Sequence, residues 1–304
     1  MKMVVSGSTG LIGSALFDAL TRRRDHEIVR LVRRRVSPGE HAIAWDPERG
    51  AVDRAGLEGT DAVIHLAGEN VFGRWSPAKK RRIYESRVKG TRLLSEALAG
   101  LHRRPATLLA ASAIGYYGDR GDEPVTEEST PGEDFLAHVA RDWETATAAA
   151  TRARIRVVNM RMGVVLSPTG GALAKMLPAF RLGLGGTVGS GNQYLSWIAL
   201  ADVLNAILHL LEKADLAGPV NMTAPAPVTN REFARTLGRV LGRPAIVTVP
   251  AFALRIAFGT DGAAMVQSGQ RVLPARLLAS GFHFGSQDVE HALRFLLAPS
   301  EPGR

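Results

Sequence analysis

The first half of the chain alternates short apolar runs with longer segments in which apolar residues recur every three to four positions. Short apolar runs are typical of strands buried on both faces of a parallel sheet, and the longer spacing is typical of amphipathic helices. The pattern predicts strands at 2–6, 28–32, 43–46, 61–67, 107–111 and 156–165, with helices at 79–101 and 134–152. This alternation predicts an α/β protein with a Rossmann-type, doubly wound parallel sheet.

The pattern changes after about residue 168, where closely spaced glycines surround a short helical segment. Further helices are predicted at 200–213, 230–241, 274–279 and 288–297, with Thr229 as an N-cap. We therefore expect a nucleotide-binding domain at 1–167 and a smaller, substrate-facing region at 168–304. Parts of 190–225 are candidates to complete the sheet, and 299–304 is expected to be a frayed end.

A glycine-rich turn lies between the first strand and the first helix. Gly7, Gly10 and Gly13 recur every three residues there. Glycines in this position permit a tight turn and let backbone N–H groups approach a pyrophosphate closely, while the helix N-terminus adds partial positive charge. The turn therefore predicts a dinucleotide site.

The end of the second strand indicates which dinucleotide is bound. An NAD-selective site usually carries Asp or Glu there, about 20 residues after the last glycine, to bind the ribose 2′-hydroxyl. This chain has Arg33, Arg34 and Arg35 at that point. Guanidinium groups would pair with a 2′-phosphate, so Arg33 and Arg34 predict NADP(H), with NAD(H) less favoured.

Composition excludes several classes of function. The 304 residues include no cysteine, which excludes disulfides and thiol catalysis, and the eight histidines show no metal-ligand spacing. The net charge of +9 comes from basic residues spread along the chain, so we expect no nucleic-acid partner. There is no apolar run of about 18 residues and no secretory pattern, so we expect no membrane partner and a cytoplasmic location.

Several stretches resemble one family. They are 7–13, 65–70, 112–118, 161–166, 189–193 and the tail segment 270–282. On these the chain resembles extended short-chain dehydrogenase/reductases of the NAD-dependent epimerase/dehydratase superfamily. Within it, the match is to the sugar nucleotide epimerase-like, or cell-division-inhibitor-like, subgroup with its C-terminal domain of unknown function. Members often dimerise, so a homodimer is one expectation.

The resemblance implies further cofactor contacts. Thr9, Leu11 and Ile12 would join the glycines around the pyrophosphate. The residues implied on the adenine and ribose side, in a cofactor-facing segment and near the nicotinamide are Leu66, Ala67, Gly68, Arg87 and Val164.

The catalytic pattern of the family is missing. Its members generally use a Tyr with a Lys four residues later, together with a Ser. None of the four tyrosines is followed by such a Lys, and Leu136 and Ala140 fall at the corresponding helix positions. The candidates that remain are Ser112, Tyr117 and Tyr116, with Lys79 or Lys175 as the cation that would lower a phenol pKa.

Two functional hypotheses follow. The first is an NADP(H)-dependent oxidoreductase or epimerase-like enzyme acting on an unidentified small molecule with an atypical acid/base. The second is a non-catalytic NADP(H)-binding redox sensor or scaffold, because the cofactor loop is present while the catalytic pair is absent. A charge-driven nucleic-acid binder is a third reading that no motif supports.

Overall fold

The computed structural model describes residues 1–23, 26–37 and 39–298, so the predicted frayed end at 299–304 lies outside the described residues. The strands are β1 (Lys2–Ser6), β2 (Glu27–Val32), β3 (Ala42–Asp46), β4 (Ala51–Val52), β5 (Ala62–His65), β6 (Thr107–Ala113), β7 (Pro124–Val125), β8 (Arg156–Met162), β9 (Val164–Ser167), β10 (Gly186–Val188), β11 (Tyr194–Leu195), β12 (Trp197–Ala199), β13 (Gly218–Met222), β14 (Val228–Thr229), β15 (Val247–Val249) and β16 (Arg271–Val272).

The helices are α1 (Leu11–Arg23), α2 (Arg54–Leu57), α3 (Pro77–Ala99), α4 (Phe135–Thr145), α5 (Ala148–Arg152), α6 (Gly171–Arg181), α7 (Leu200–Glu212), α8 (Asn230–Leu241), α9 (Ala251–Gln267), α10 (Ala275–Ala279) and α11 (Val289–Leu297). A single 3₁₀ turn, Ile114–Tyr117, follows β6 in the described chain. Among the described residues, no helix combines the length and apolar character needed to cross a bilayer.

Eight strands form the central sheet in the order β13-β8-β6-β5-β1-β2-β3-β4. All neighbouring pairs are parallel except β3 and β4. One face packs against α1 and α7 through residues such as Leu16 and Ile207, and the other packs against α3 and α5 through residues such as Leu94 and Ala150. The predicted doubly wound parallel sheet is therefore confirmed.

The edge strand β13 comes from within 190–225, the stretch that was expected to contribute to the sheet. Residues beyond β9 also build a separate core around Trp197, Phe233 and Leu293, joining α6, α8 and α11. We call this part the C-terminal lobe. The division at residue 167 itself stays a prediction.

Two predicted elements differ from those observed, and one long helix was not predicted. The single helix predicted at 134–152 is two helices, α4 and α5, because the Thr147 hydroxyl donates to the Glu144 carbonyl at 2.7 Å and competes with the helical ladder. The strand predicted at 156–165 breaks at Gly163, after which β9 pairs with β12 instead of the central sheet. Helix α9 was not predicted, because exposed Phe252 and Ile256 remove the amphipathic period.

Candidate functional site

The glycine-rich turn packs backbone against backbone where β1 and β5 end. Gly7 has φ +69°, and a Cβ there would lie 2.7 Å from the Leu66 carbonyl carbon. A Cβ on Gly13 would lie 2.2 Å from the Gly7 oxygen, whereas one on Gly10 would lie 3.4 Å from it. Gly7 is therefore required by the close approach of the chain after β5, and Gly13 by the close approach of α1 to the turn itself, whereas Gly10 has room for a Cβ.

A cleft of about 340 Å³ opens at this point, between the carboxyl ends of β1 and β5. The strand order reverses there, which is where open α/β sheets bind their ligands. The predicted residues that line the cleft are Gly7, Gly10, Leu11, Ile12, Gly13, Leu66 and Val164. Ala111, Met162 and Gly171 line it as well, although they were not predicted.

The remaining predicted cofactor residues lie around the cleft without lining it. Thr9 is exposed on the glycine turn, and Ala67 and Gly68 continue the loop that follows Leu66. The Arg87 guanidinium lies under Gly68, 3.5 Å from the place of a Cβ, and donates to the Glu69 carbonyl at 3.0 Å. Burial lowers the pKa of Arg87 to about 10. Arg87 therefore supports the loop from below.

Arg33 and Arg34 follow β2 and are exposed. Arg34 forms a forked ion pair with Glu40, whose Oε2 lies 2.9 Å from Nη1. The hydrogen bond from Arg34 lowers the pKa of Glu40 to about 2, and the pKa of Arg34 is raised in turn. No protein group pairs with the side chain of Arg33 within the described chain. Of the two, only Arg33 presents a cation without a partner.

A buried histidine lies beneath the glycine turn and links the ends of two strands. His65 Nδ1 lies 2.7 Å from Ser6 Oγ, and Nε2 lies 3.0 Å from Thr91 Oγ1. Ser6 Oγ also accepts the N–H of Leu66 at 3.1 Å. Complete burial lowers the pKa of His65 to about 4, so the ring is neutral at pH 7. The sequence reading missed this network, which ties the ends of β1 and β5 to α3.

Beyond the cleft, a buried ion pair joins β8 to α4, and a serine of β6 hydrogen-bonds to its carboxylate. Arg161 donates through Nε and Nη2 to the two carboxylate oxygens of Glu144 at 2.8 and 2.9 Å. Ser112 Oγ donates to Glu144 Oε1 at 2.7 Å. Burial alone would lower the pKa of Arg161, but the hydrogen bonds and charge of Glu144 raise it. The predicted catalytic Ser112 is therefore bound to a carboxylate that already balances a buried cation.

The two candidate tyrosines occupy different environments. Tyr117 is fully buried, accepts from Arg161 Nη1 at 2.9 Å and donates to Asn221 Oδ1 at 2.7 Å. Burial raises the pKa of Tyr117 to about 12. Tyr116 is only partly buried, and its ring lies 3.5 Å from the Arg161 guanidinium carbon. Its hydroxyl has no hydrogen-bond partner among the described residues. The geometry therefore favours Tyr116 over Tyr117 as a group that can exchange a proton with a ligand.

The two lysines suggested as phenol partners contact other groups. Lys79 Nζ lies 2.7 Å from Glu69 Oε1, and Lys175 Nζ lies 3.7 Å from the Phe72 ring centre. The cation that lies against both candidate tyrosines is Arg161. Leu136 packs beside Gly115, so α4 lies next to the 3₁₀ turn without a proton-transfer group at that point.

Further buried hydrogen bonds connect Asn221, the partner of the Tyr117 hydroxyl, to Glu127 and to the segment 273–276. Glu127 is buried, and its Oε1 accepts the backbone N–H of Asn221 at 3.0 Å and that of Arg276 at 3.3 Å. Asn221 Nδ2 donates to the Leu273 carbonyl at 2.9 Å. The sequence offered one signal for these residues, namely charged and amide groups inside otherwise apolar strands such as β8 and β13. No group of three or more described His, Asp or Glu side chains is arranged to hold a metal ion.

Comparison with known proteins finds one family match over most of the chain and one domain match near its C-terminal end. Residues 3–222 match the NAD dependent epimerase/dehydratase family, and residues 249–296 match a domain of unknown function, DUF1731. Epimerase family protein Mb2239 of Mycobacterium bovis is 44% identical over 302 residues, which cover 99% of this chain and 98% of that protein.

Solved structures agree with the sequence comparison. The crystal structure of human epimerase family protein SDR39U1 (isoform 2) with NADPH has a TM-score of 0.89 and 36% identity, covering 97% of this chain and 99% of that chain. MoeE5 in complex with UDP-glucose and NAD, at 20% identity and a TM-score of 0.76, shares the fold over 96% of each chain. The predicted resemblance, including the C-terminal domain, is confirmed: the chain belongs to the NAD dependent epimerase/dehydratase family.

Proposed function

We propose that the protein binds NADP(H) in the cleft and uses it in an oxidoreductase or epimerase-type reaction on a small molecule. The observation that carries the cofactor assignment is the glycine turn at the strand-order reversal, whose backbone packing leaves no room for a Cβ at Gly7 or Gly13. The human relative, 36% identical, has NADPH in its crystal structure. The bound cofactor would supply hydride transfer.

The residues present fit such a ligand. The backbone of the glycine turn and the N-terminus of α1 would hold the pyrophosphate, as helix N-termini do for phosphates generally. Arg33 would bind the 2′-phosphate, and Arg34 would join it on release from Glu40. Leu66, Ala67 and Gly68 would contact the adenine and ribose side, and Val164 would lie at the nicotinamide end.

Tyr116 would hold and transfer the proton that accompanies the hydride. It is partly exposed, its hydroxyl is unpartnered among the described residues, and the Arg161 cation lies against its ring. Arg161 is itself held by both oxygens of Glu144, so its orientation is fixed before a substrate binds. Ser112 and Tyr117 would position this group instead of transferring protons.

The test of the cofactor assignment is calorimetric titration with NADPH, NADP, NADH and NAD. We expect at least a tenfold preference for the phosphorylated forms, about 1.4 kcal/mol, which Arg33→Ala removes. The matched control is Arg35→Ala, two residues away in the same exposed run, which should retain the preference. Glu40→Gln should tighten NADPH binding because it frees Arg34. Equal affinity for all four dinucleotides, or no binding, would contradict the assignment.

A specific observation favours the second hypothesis, a non-catalytic NADP(H) sensor: Leu136 packs beside Gly115 of the 3₁₀ turn, and neither Leu136 nor Ala140, the two positions that correspond to the family's Tyr and Lys, can transfer a proton. The enzyme and sensor hypotheses are distinguished by measuring the change in nicotinamide absorbance with a panel of carbonyl and alcohol substrates. An enzyme predicts turnover that falls about a hundredfold in Tyr116→Phe and persists in Tyr117→Phe. A sensor predicts tight NADPH binding, a conformational difference between the oxidised and reduced complexes, and no turnover.

A further inference from the structure

Exposed large apolar residues are concentrated in one part of the C-terminal lobe. Six of the nine that the described chain exposes lie in two segments, at 182–184 and 246–256: Leu182, Leu184, Ile246, Val247, Phe252 and Ile256. All of them except Val247 are between 62% and 85% exposed. Scattered single exposures are ordinary, but a grouping of this kind marks an interaction surface.

The two segments are neighbours in space. Strands β10 and β15 pair in parallel, with Gly186 opposite Val247. The Val247 N–H donates to the Gly185 carbonyl at 3.3 Å, and a Cβ on Gly183 would lie 3.4 Å from the Pro244 ring. The loops that carry Leu184 and Ile246 therefore lie side by side, and α9 begins two residues after β15.

The charged side chains in the sequence around these two segments are all positively charged. Residues 168–201 and 233–260 contain no Asp or Glu, yet they contain six cations: Lys175, Arg181, Arg235, Arg239, Arg243 and Arg255. Arg239 pairs with Glu290 from α11. Arg181, Arg243 and Arg255, which adjoin the exposed apolar residues in sequence, are exposed and have no ion-pair partner among the described residues.

We propose that this surface, made of Leu182, Leu184, Ile246, Phe252 and Ile256 with Arg181, Arg243 and Arg255, binds the surface of an anionic phospholipid membrane. Apolar side chains gain by entering the boundary between headgroups and acyl chains, and nearby arginines gain from anionic headgroups. This proposal differs from the expectation of no membrane partner, and it does not depend on the proposed cofactor or reaction.

The charge of this surface favours an anionic membrane over two other binding partners, a second copy of the chain and a nucleic acid. A second copy would bring two sets of unpaired arginines together without an acidic residue from these segments to neutralise them. A nucleic acid would satisfy the arginines but would leave exposed leucine and isoleucine side chains without an apolar partner. An anionic lipid surface accommodates both features at once.

The test is flotation of the full-length chain with vesicles. We expect binding to phosphatidylcholine vesicles that contain about one third phosphatidylglycerol, weaker binding at high salt, and little binding to phosphatidylcholine alone. Arg181→Glu with Arg243→Glu should lower partitioning at least about tenfold. Leu184→Asp with Ile246→Asp should lower it similarly, and both variants should keep the thermal unfolding midpoint of the unmodified chain.

The matched control is Phe295→Asp, which alters an equally exposed apolar residue on α11 outside the surface and should leave vesicle binding unchanged. The proposal is overturned by any of three results. The first is equal binding to neutral and anionic vesicles. The second is binding to duplex DNA without binding to vesicles. The third is that the unmodified chain does not bind vesicles but self-associates, and that Leu184→Asp with Ile246→Asp abolishes the self-association.

Discussion

The two halves of the site are built by different means. The cofactor half, around the glycine turn, is made from backbone: Gly7 and Gly13 matter because a side chain there would collide with main-chain atoms. The chemical half, around Arg161, is made from buried side chains whose hydrogen bonds join β6, β8, α4 and the 3₁₀ turn. The first half follows the family pattern closely, and the second departs from it.

The difference teaches where a family's chemistry can change. A backbone cradle tolerates little substitution, because steric demands at a turn do not depend on the reaction. A side-chain network can be rebuilt, provided that every buried charge keeps a partner. Here α4 lacks the usual Tyr and Lys, and its Glu144 instead pairs with the buried Arg161 of β8. Variants in the cofactor half and variants in the chemical half should therefore have distinguishable effects.

The largest effect is expected from Arg161→Met. It leaves the Glu144 carboxylate buried without its cation, and removing one member of a buried ion pair costs about 4 kcal/mol. The free energy of unfolding in urea measures this loss. The double variant Arg161→Met, Glu144→Met should be less destabilised than the sum of the single variants, because no unpaired charge remains. In contrast, Arg33→Ala in the cofactor half should leave stability within about 0.5 kcal/mol.

Gly13→Ala should cost about 3 kcal/mol and abolish dinucleotide binding. The new Cβ would lie 2.2 Å from the Gly7 oxygen, so main chain must move, and this outweighs the gain in helix propensity. Gly10→Ala is the matched control, since its Cβ would lie 3.4 Å from the same oxygen and should change stability by less than about 1 kcal/mol. Equal stability of the two variants would show that the turn can relax.

The smallest of these effects is a pH dependence from His65. Its pKa is about 4 in the folded chain and 6.5 when exposed, so the unfolded state binds more protons between these values. Folding stability should therefore fall as pH drops, by about 2 kcal/mol between pH 7 and pH 5 from this group alone. Comparing urea unfolding of the unmodified chain with His65→Gln isolates it, because carboxylates contribute to both. Parallel pH profiles would exclude a buried neutral His65.

Much of the cofactor half could be read from local pattern. The spacing of Gly7, Gly10 and Gly13 after an apolar strand was enough to place the turn, and its place in the cleft agrees. The chemical half could not be read this way. Arg161 lies in an apolar strand and Glu144 at the end of a helix, and nothing in their sequence separation indicates that they form a forked pair.

The sequence by itself determined the alternation of strands and helices in the first half of the chain, the glycine turn and the family, because hydrophobic period and steric demand act over a few residues. Tertiary structure alone decided that Arg34 is held by Glu40 while Arg33 is not, and that Tyr117 is buried while Tyr116 is accessible. It also decided that two segments distant in sequence, which carry the exposed Leu184 and Ile246, lie side by side through the pairing of β10 with β15. The physical reason is that burial, pKa and partner choice depend on groups brought together from distant positions, which no local pattern encodes.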